Sequence, residues 1–287
     1  MSAEITGADI DDTVPVASSR AGRNLPAAIA VGLGLGVLII CSLVLYKALF
    51  LIVVAVTIGV ALWELGHAFS LRDTVTPLPL MLVGSTGMLV GAYFGGARVL
   101  VVVFAASVLA TSLWRMPRGQ DGFVRDVSAT VFCLVYAPLL AAFVSLLLAA
   151  DDGVQKVLTF IIVTIASDIG GYAVGASLGR HPMAPRISPK KSWEGFVGST
   201  AGCAIAGVLC VVLLLGGEWW VGLILGAVAV VAATFGDLLE SIIKRDLGVK
   251  DMSNILPGHG GVMDRLDSLL ATVPFVWLVL TFLLPAA

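Results

Sequence analysis

Long stretches with little or no charge decide what this chain can fold into. Leu25–Tyr46, Leu78–Phe94, Val127–Ala149, Phe196–Leu215, Trp219–Phe235 and Leu269–Leu284 carry no charged residue at all. Ala48–Phe69, Ala97–Trp114 and Val157–Leu178 carry only isolated polar groups. About 20 apolar residues in a helix cover the hydrocarbon of a bilayer. Of the 287 residues 59% are hydrophobic and 13% charged, where a soluble domain would have about 25% charged. These runs predict an all-α, polytopic transmembrane helical bundle of about nine spans. Its 32 glycines allow close helix approach, with Gly32, Gly34, Gly36 and Gly202, Gly207 as packing faces. Cys41, Cys133, Cys203 and Cys210 lie in apolar runs and read as small buried hydrophobes.

The basic residues orient the bundle. With the N-terminus inside, fourteen of the 17 Lys and Arg are cytoplasmic, against Lys47, Arg98 and Lys156 outside. The positive-inside rule therefore gives a cytoplasmic N-terminus and an external C-terminus. Every charged cluster then lies at the inner face of the cell membrane, where nucleotides are available. Residues 1–24 are polar and end with Arg20 and Arg23, which reads as a disordered cytoplasmic tail rather than a cleaved signal. Residues 25–150 form an N-terminal set of helices, and 151–287 a C-terminal region that carries the chemistry. Glu64 and His67 read as structural, pairing with each other or with Arg72. Arg115, Arg118 and Arg125 read as topology determinants or headgroup contacts.

The stretch Gly236–Ser268 breaks the apolar pattern with a dense set of acids, bases and one histidine. Ionised groups in a bilayer cost several kcal/mol or more, so such a block marks a site. On a helix, Asp237, Glu240, Ser241 and Lys244 share one face. A divalent cation suits Asp237 at the end of an apolar run, with an ordinary helix-end ion pair between Glu240 and Lys244 as the lesser alternative. Gly260 and Gly261 free the backbone to approach phosphate, and His259, between Gly258 and Gly260, is either a turn cap or a phosphate and proton partner. Asp264 and Asp267 share a face at a helix start, where carboxylates also favour the dipole. Two antiparallel helices would bring both acidic pairs to one depth. Upstream, Asp168 is a lone acid within a span. Arg180, Arg186, Lys190 and Lys191 crowd a short proline-rich loop with Ser188, suited to anionic lipid or to substrate phosphate.

The run Ser241-x-x-Lys244-Arg245-x4-Lys250-Asp251, then His259-Gly260-Gly261-x-x-Asp264-Arg265-x-Asp267-Ser268, resembles the signature of the phosphatidate cytidylyltransferase (CDP-diacylglycerol synthase) family. Ser188–Gly195 resembles a second motif of that family, and Asp168–Tyr172 a looser third. The resemblance covers roughly Ser167 to the C-terminus. It implies transfer of CMP from CTP to phosphatidic acid, giving CDP-diacylglycerol and pyrophosphate, with Mg2+. Asp237 and Asp264 become the implied metal ligands, with Asp267, Glu240 and Asp168 as further ligands or supports, and a monovalent cation such as K+ sharing the site. Lys244, Arg245, Lys250, Arg265 and His259 would hold CTP phosphates or assist pyrophosphate departure. Ser188, Lys190 and Lys191 would contact lipid or nucleotide phosphate, and Ser241, Asp251, Gly260 and Gly261 complete the substrate site. The implied partners are CTP, phosphatidic acid and membrane lipid, with no nucleic acid. A homodimer is expected only because dimers are common among membrane enzymes.

The residues fit this chemistry on their own terms. A phosphate monoester is already anionic at neutral pH and needs no strong base. It needs its repulsion from the nucleotide offset, which is work for a metal and for basic side chains. A cation-coupled transporter would also place acids in a bundle, but nearer the midplane and with an inverted repeat. A CTP-dependent lipid kinase shares the metal and nucleotide needs, yet would release CDP instead of pyrophosphate. A CDP-alcohol phosphatidyltransferase needs a different acid array, of which only Asp121-Gly122 is present.

Overall fold

A computed structural model describes residues 25–256 and 260–284, with side chains from residue 32 onward. The tail read from residues 1–24, and His259 with it, lie outside the described residues. Among the described residues nine α-helices follow in order: α1 (Leu25–Leu45), α2 (Lys47–Ser70), α3 (Leu78–Arg115), α4 (Phe123–Leu134), α5 (Leu140–Ala149), α6 (Gly153–Leu178), α7 (Trp193–Leu214), α8 (Trp219–Leu247) and α9 (Met263–Phe282). Among the described residues seven segments are long and apolar enough to cross a membrane, α4 and α5 counting as one and α1 contributing only the shorter Gly32–Leu45.

Two expected spans, Leu78–Phe94 and Ala97–Trp114, are joined in the single element α3, which folds back on itself at Gly96, where φ is +67° and ψ −166°. A Cβ on Gly84 would meet Ser107, and one on Gly91 would meet Val99. The two arms are therefore antiparallel neighbours in close contact. Between α4 and α5 the helix widens into a π turn over Val135–Leu139, where Pro138 supplies no N–H.

The fold is not wholly helical. β1 (Pro182–Ala184) and β2 (Ser188–Ser192) form an antiparallel hairpin between α6 and α7. Its prolines are tolerated because a two-stranded ribbon has only edges.

α6, α7, α8 and α9 pack in series through bare backbone. A Cβ on Gly170 would lie 2.4 Å from Gly198 O, one on Gly207 2.3 Å from Gly222 O, and one on Gly236 2.5 Å from Asp267 O. Gly202 likewise abuts Ala166, so Gly202 and Gly207 are the packing positions expected. Gly34 and Gly36 are not, since nothing lies within 4 Å of a Cβ placed on either. Cys133, Cys203 and Cys210 are buried, while Cys41 is exposed. Both apolar cores draw on helices from the two halves of the chain, for example Leu65 with Met263 and Leu43 with Val276.

Candidate active site

The β hairpin positions the first basic group. Ser192 caps α7 by accepting from the N–H of Gly195 at 3.1 Å. Glu194 reaches back, accepting from the N–H groups of Arg180 (3.1 Å) and His181 (3.2 Å) and pairing with His181 Nδ1 at 2.6 Å. Tied at its root to α7, β2 holds Lys191 against Asp237 of α8 in an ion pair.

Asp237, Glu240, Ser241 and Lys244 line one cavity of about 430 Å3, as their helical spacing predicted. Lys244 Nζ bridges Glu240 Oε2 at 2.5 Å and Asp264 Oδ1 at 2.7 Å. The α8 pair is thus part of a network that ties two helices, not an isolated helix-end pair. Asp264 Oδ2 accepts from the N–H groups of Met252 (2.9 Å) and Gly261 (2.8 Å). This carboxylate therefore already has three donors and organises the loop before α9. Asp267, one turn on, lies in hydrogen-bonding contact with Asp237. Asp168, Asp251 and Arg265 complete the walls.

The loop is held from below by Glu64 of α2, which is fully buried. It accepts from Ser253 Oγ (2.5 Å) and from the N–H groups of Val262 (2.9 Å) and Met263 (2.7 Å). The two N–H groups are among those a helix start leaves without partners, and a carboxylate there also meets the positive end of the dipole. Glu64 is structural, as read, but pairs with neither expected partner. His67 stacks on Trp63, with ring centroids 5.7 Å apart. Arg72 donates to the carbonyls of Asp246 (2.7 Å) and Leu247 (3.3 Å), closing the end of α8. An acid in an otherwise apolar helix was the signal for Glu64. Its partners nearly 200 positions away were not readable.

The two glycines are engaged within the loop itself. The N–H of Gly260 goes to Leu256 O at 3.2 Å and that of Gly261 to Asp264. Both donors are therefore satisfied within the loop. Gly260 has φ +83°, and a Cβ on Gly261 would lie 2.8 Å from Glu64 Oε1 and 2.9 Å from Asp264 Oδ2. Glycine is required because two carboxylates crowd the backbone.

A second cavity, of about 230 Å3, adjoins the first and is lined by Lys190, Ser192, Tyr172 and Met183. Asp168, Lys191 and Asp237 border both spaces. Arg245 and Lys250 are exposed and, like Ser188, line neither cavity. Arg115 is no headgroup contact: it is buried in an ion pair with Asp126.

Among the described residues, no three His, Cys, Asp or Glu side chains converge to enclose a metal unaided. Magnesium commonly takes one or two carboxylates and completes its shell with phosphate oxygens and water. Two observations fit that mode. Asp237 and Asp267 touch carboxyl to carboxyl, which is repulsive unless a cation or proton is shared. Glu240 Oε1 is buried without a hydrogen-bond partner, as is Tyr136 Oη from the π turn, and Glu240 is the foremost of Tyr136's charged neighbours.

A family model described as the cytidylyltransferase family matches residues 26–283. A phosphatidate cytidylyltransferase of Mycobacterium leprae is 39% identical, covering 97% of each chain. One from Mycobacterium bovis is 41% identical over 93% of this chain and 91% of the relative. One from Helicobacter pylori is 30% identical over 83% and 85%. The match reaches well beyond the C-terminal portion that carries the motifs, and takes in the N-terminal helices that supply Glu64. From one end of the bundle to the other, the chain belongs to the cytidylyltransferase family and is an enzyme of the nucleotidyltransferase class.

Proposed function

We propose that this chain is a Mg2+-dependent phosphatidate cytidylyltransferase of the cell membrane, converting CTP and phosphatidic acid to CDP-diacylglycerol and pyrophosphate for phospholipid synthesis. The observation that carries the reading is the single cavity where Asp168, Asp237, Glu240, Asp264 and Asp267 face Lys191, Lys244 and Arg265. The bundle would cross nine times, with α3 counting twice and the cavity facing the cytoplasm. The fold-back at Gly96 and the distribution of basic residues support that topology. The second half of the chain would carry the chemistry and the first half would brace it.

In this reading a phosphate oxygen of phosphatidic acid attacks the α-phosphorus of CTP. The bond from that phosphorus to the α,β-bridging oxygen breaks, and pyrophosphate leaves with its electron pair. Asp237 and Asp267 would hold Mg2+, with phosphate oxygens and water completing its shell, while Glu240, Asp168 and Asp264 line the same cavity as supporting acids. Bound there, the ion would offset the repulsion between the two anions and the charge on the departing group. Lys191 and Lys244 exchange a carboxylate for a phosphate oxygen as substrates enter. Arg265 holds the nucleotide phosphates, and Lys190 faces the lipid phosphate from the adjoining space. A K+ ion sharing the site, a contribution of His259 to pyrophosphate release, and a homodimer extend the same reading.

The test is purified protein with CTP labelled at the α-phosphate and phosphatidic acid, with and without Mg2+. Label should enter lipid only with Mg2+, with one pyrophosphate released per lipid labelled. Release of CDP with unlabelled lipid would show a kinase.

A further inference from the structure

A third cavity, of about 190 Å3, lies directly beneath the charged layer and is almost purely apolar. Its wall on α9 is Leu266, Leu269, Leu270 and Val273, flanking Asp267 on the same helix. Its wall on α6 includes Ile161 and Ile165, the latter one turn before Asp168. The same two helices thus present acids at the top and aliphatic side chains one turn below. The opposite side is formed by α1 and α2, through Ile39, Val53, Val54 and Thr57. The far end is closed by Phe50 and Val144, packed with Leu43 and Val157. On the bilayer side it has a rim: Ile165 is 48% exposed, and Ile39 and Thr57 are half-buried.

We propose that this groove between α1/α2 and α6 is where one acyl chain of the lipid substrate lies, and that the lipid enters through it. The inference rests on the reading of the enzyme as a phosphatidate cytidylyltransferase. Three features select this occupant. The groove sits in a chain built to span a membrane, so its rim meets hydrocarbon. It ends one helical turn from Asp168 and Asp267, so a chain within it places its glycerol and phosphate at the acids. The lining offers the polar headgroup no partner but the hydroxyl of Thr57. Moving a chain from bilayer to groove yields little hydrophobic gain, because lipid is as apolar as the groove. The groove therefore acts by positioning the phosphate, and blocking it should spare substrates too short to fill it.

Thr57→Trp and Ile165→Trp in the full-length enzyme would fill the groove, and Ile162→Trp, on the lipid-facing side of α6, is the control. Transfer from CTP is measured with dioleoyl and with dihexanoyl phosphatidic acid. The two groove variants should lose about tenfold in kcat/KM for the dioleoyl lipid and less than twofold for the dihexanoyl lipid. Unchanged dioleoyl kinetics, or equal losses on both lipids, would overturn the groove. A dioleoyl analogue with a photoactivatable diazirine in one chain gives a readout independent of turnover and of variant folding. Crosslinks in the wild-type protein should fall on the peptides holding Thr57, Ile165 and Leu269; crosslinks confined to other helices would overturn the assignment. Absence of any lipid product with either wild-type substrate would instead overturn the reaction, while the crosslink map would still decide the groove.

Discussion

Among the described residues, two buried charge clusters of this bundle are built on opposite principles. The first joins α3 to α4. Arg115 gives Nε to Asp126 Oδ2 at 2.8 Å, Nη1 to Gly119 O at 2.9 Å and Nη2 to Asp121 O at 2.5 Å. Asp126 Oδ1 accepts from the N–H of Val75 and from Arg125 Nε, both at 3.2 Å. Donors and acceptors are matched inside protein. The second cluster joins α6, β2, α8 and α9. There acids outnumber bases along the wall, two carboxyls touch, one oxygen lacks a partner, and all face an open cavity. Buried charge alone therefore does not mark function. Unbalanced charge around a space does, because its balance must come from a ligand.

This contrast can be broken or sharpened by substitution. The largest effect is expected at Asp267→Asn, which removes one acid of the touching pair. Turnover should fall by about 10³-fold or more, with the melting temperature in detergent unchanged or raised. Asp126→Ala should do the reverse. Stranding Arg115 in a buried site costs about 3–5 kcal/mol, visible as a lower melting temperature, while turnover per folded molecule persists. If Asp126→Ala abolished turnover without loss of stability, the two clusters would not differ in kind.

Glu64→Gln comes next. It keeps the shape but weakens three charge-assisted hydrogen bonds, each worth about 1.5–3 kcal/mol with the charge present. Faster amide exchange over residues 252–263 and a roughly tenfold drop in kcat should follow. Protection unchanged in that loop would show that Glu64 does not organise it. The smallest effect is expected for Lys191→Ala, a several-fold rise in KM for CTP or phosphatidic acid. A change in protein yield alone would make the hairpin a topology element.

How much of this was legible depended on the range of the interaction. Asp237, Glu240, Ser241 and Lys244 were readable as one face because helical spacing is local, and all four line the cavity. The same spacing argument did not cover Arg245 and Lys250. Arg245 points about 100° away from that face, and Lys250 follows the left-handed Gly248 that ends α8. Gly202 and Gly207 were readable as packing positions because their neighbouring helices follow in sequence. Gly34 and Gly36 looked the same in sequence but have no partner within reach. The clasp of Glu64 on α9, the burial of Arg115 and the stacking of an apolar groove beneath the acids all depend on distant contacts that no local pattern encodes.

In the proposed reaction, Asp237 of α8 and Asp267 of α9 share a divalent cation with substrate phosphate. The most direct test is a structure of the protein with Mn2+ and a non-hydrolysable CTP analogue, read by anomalous scattering. A manganese peak is expected at the two carboxylates, with the nucleotide phosphates beside Lys191 and Lys244. A peak held by other side chains, or nucleotide bound with no metal at Asp237 and Asp267 in protein that turns over, would contradict it.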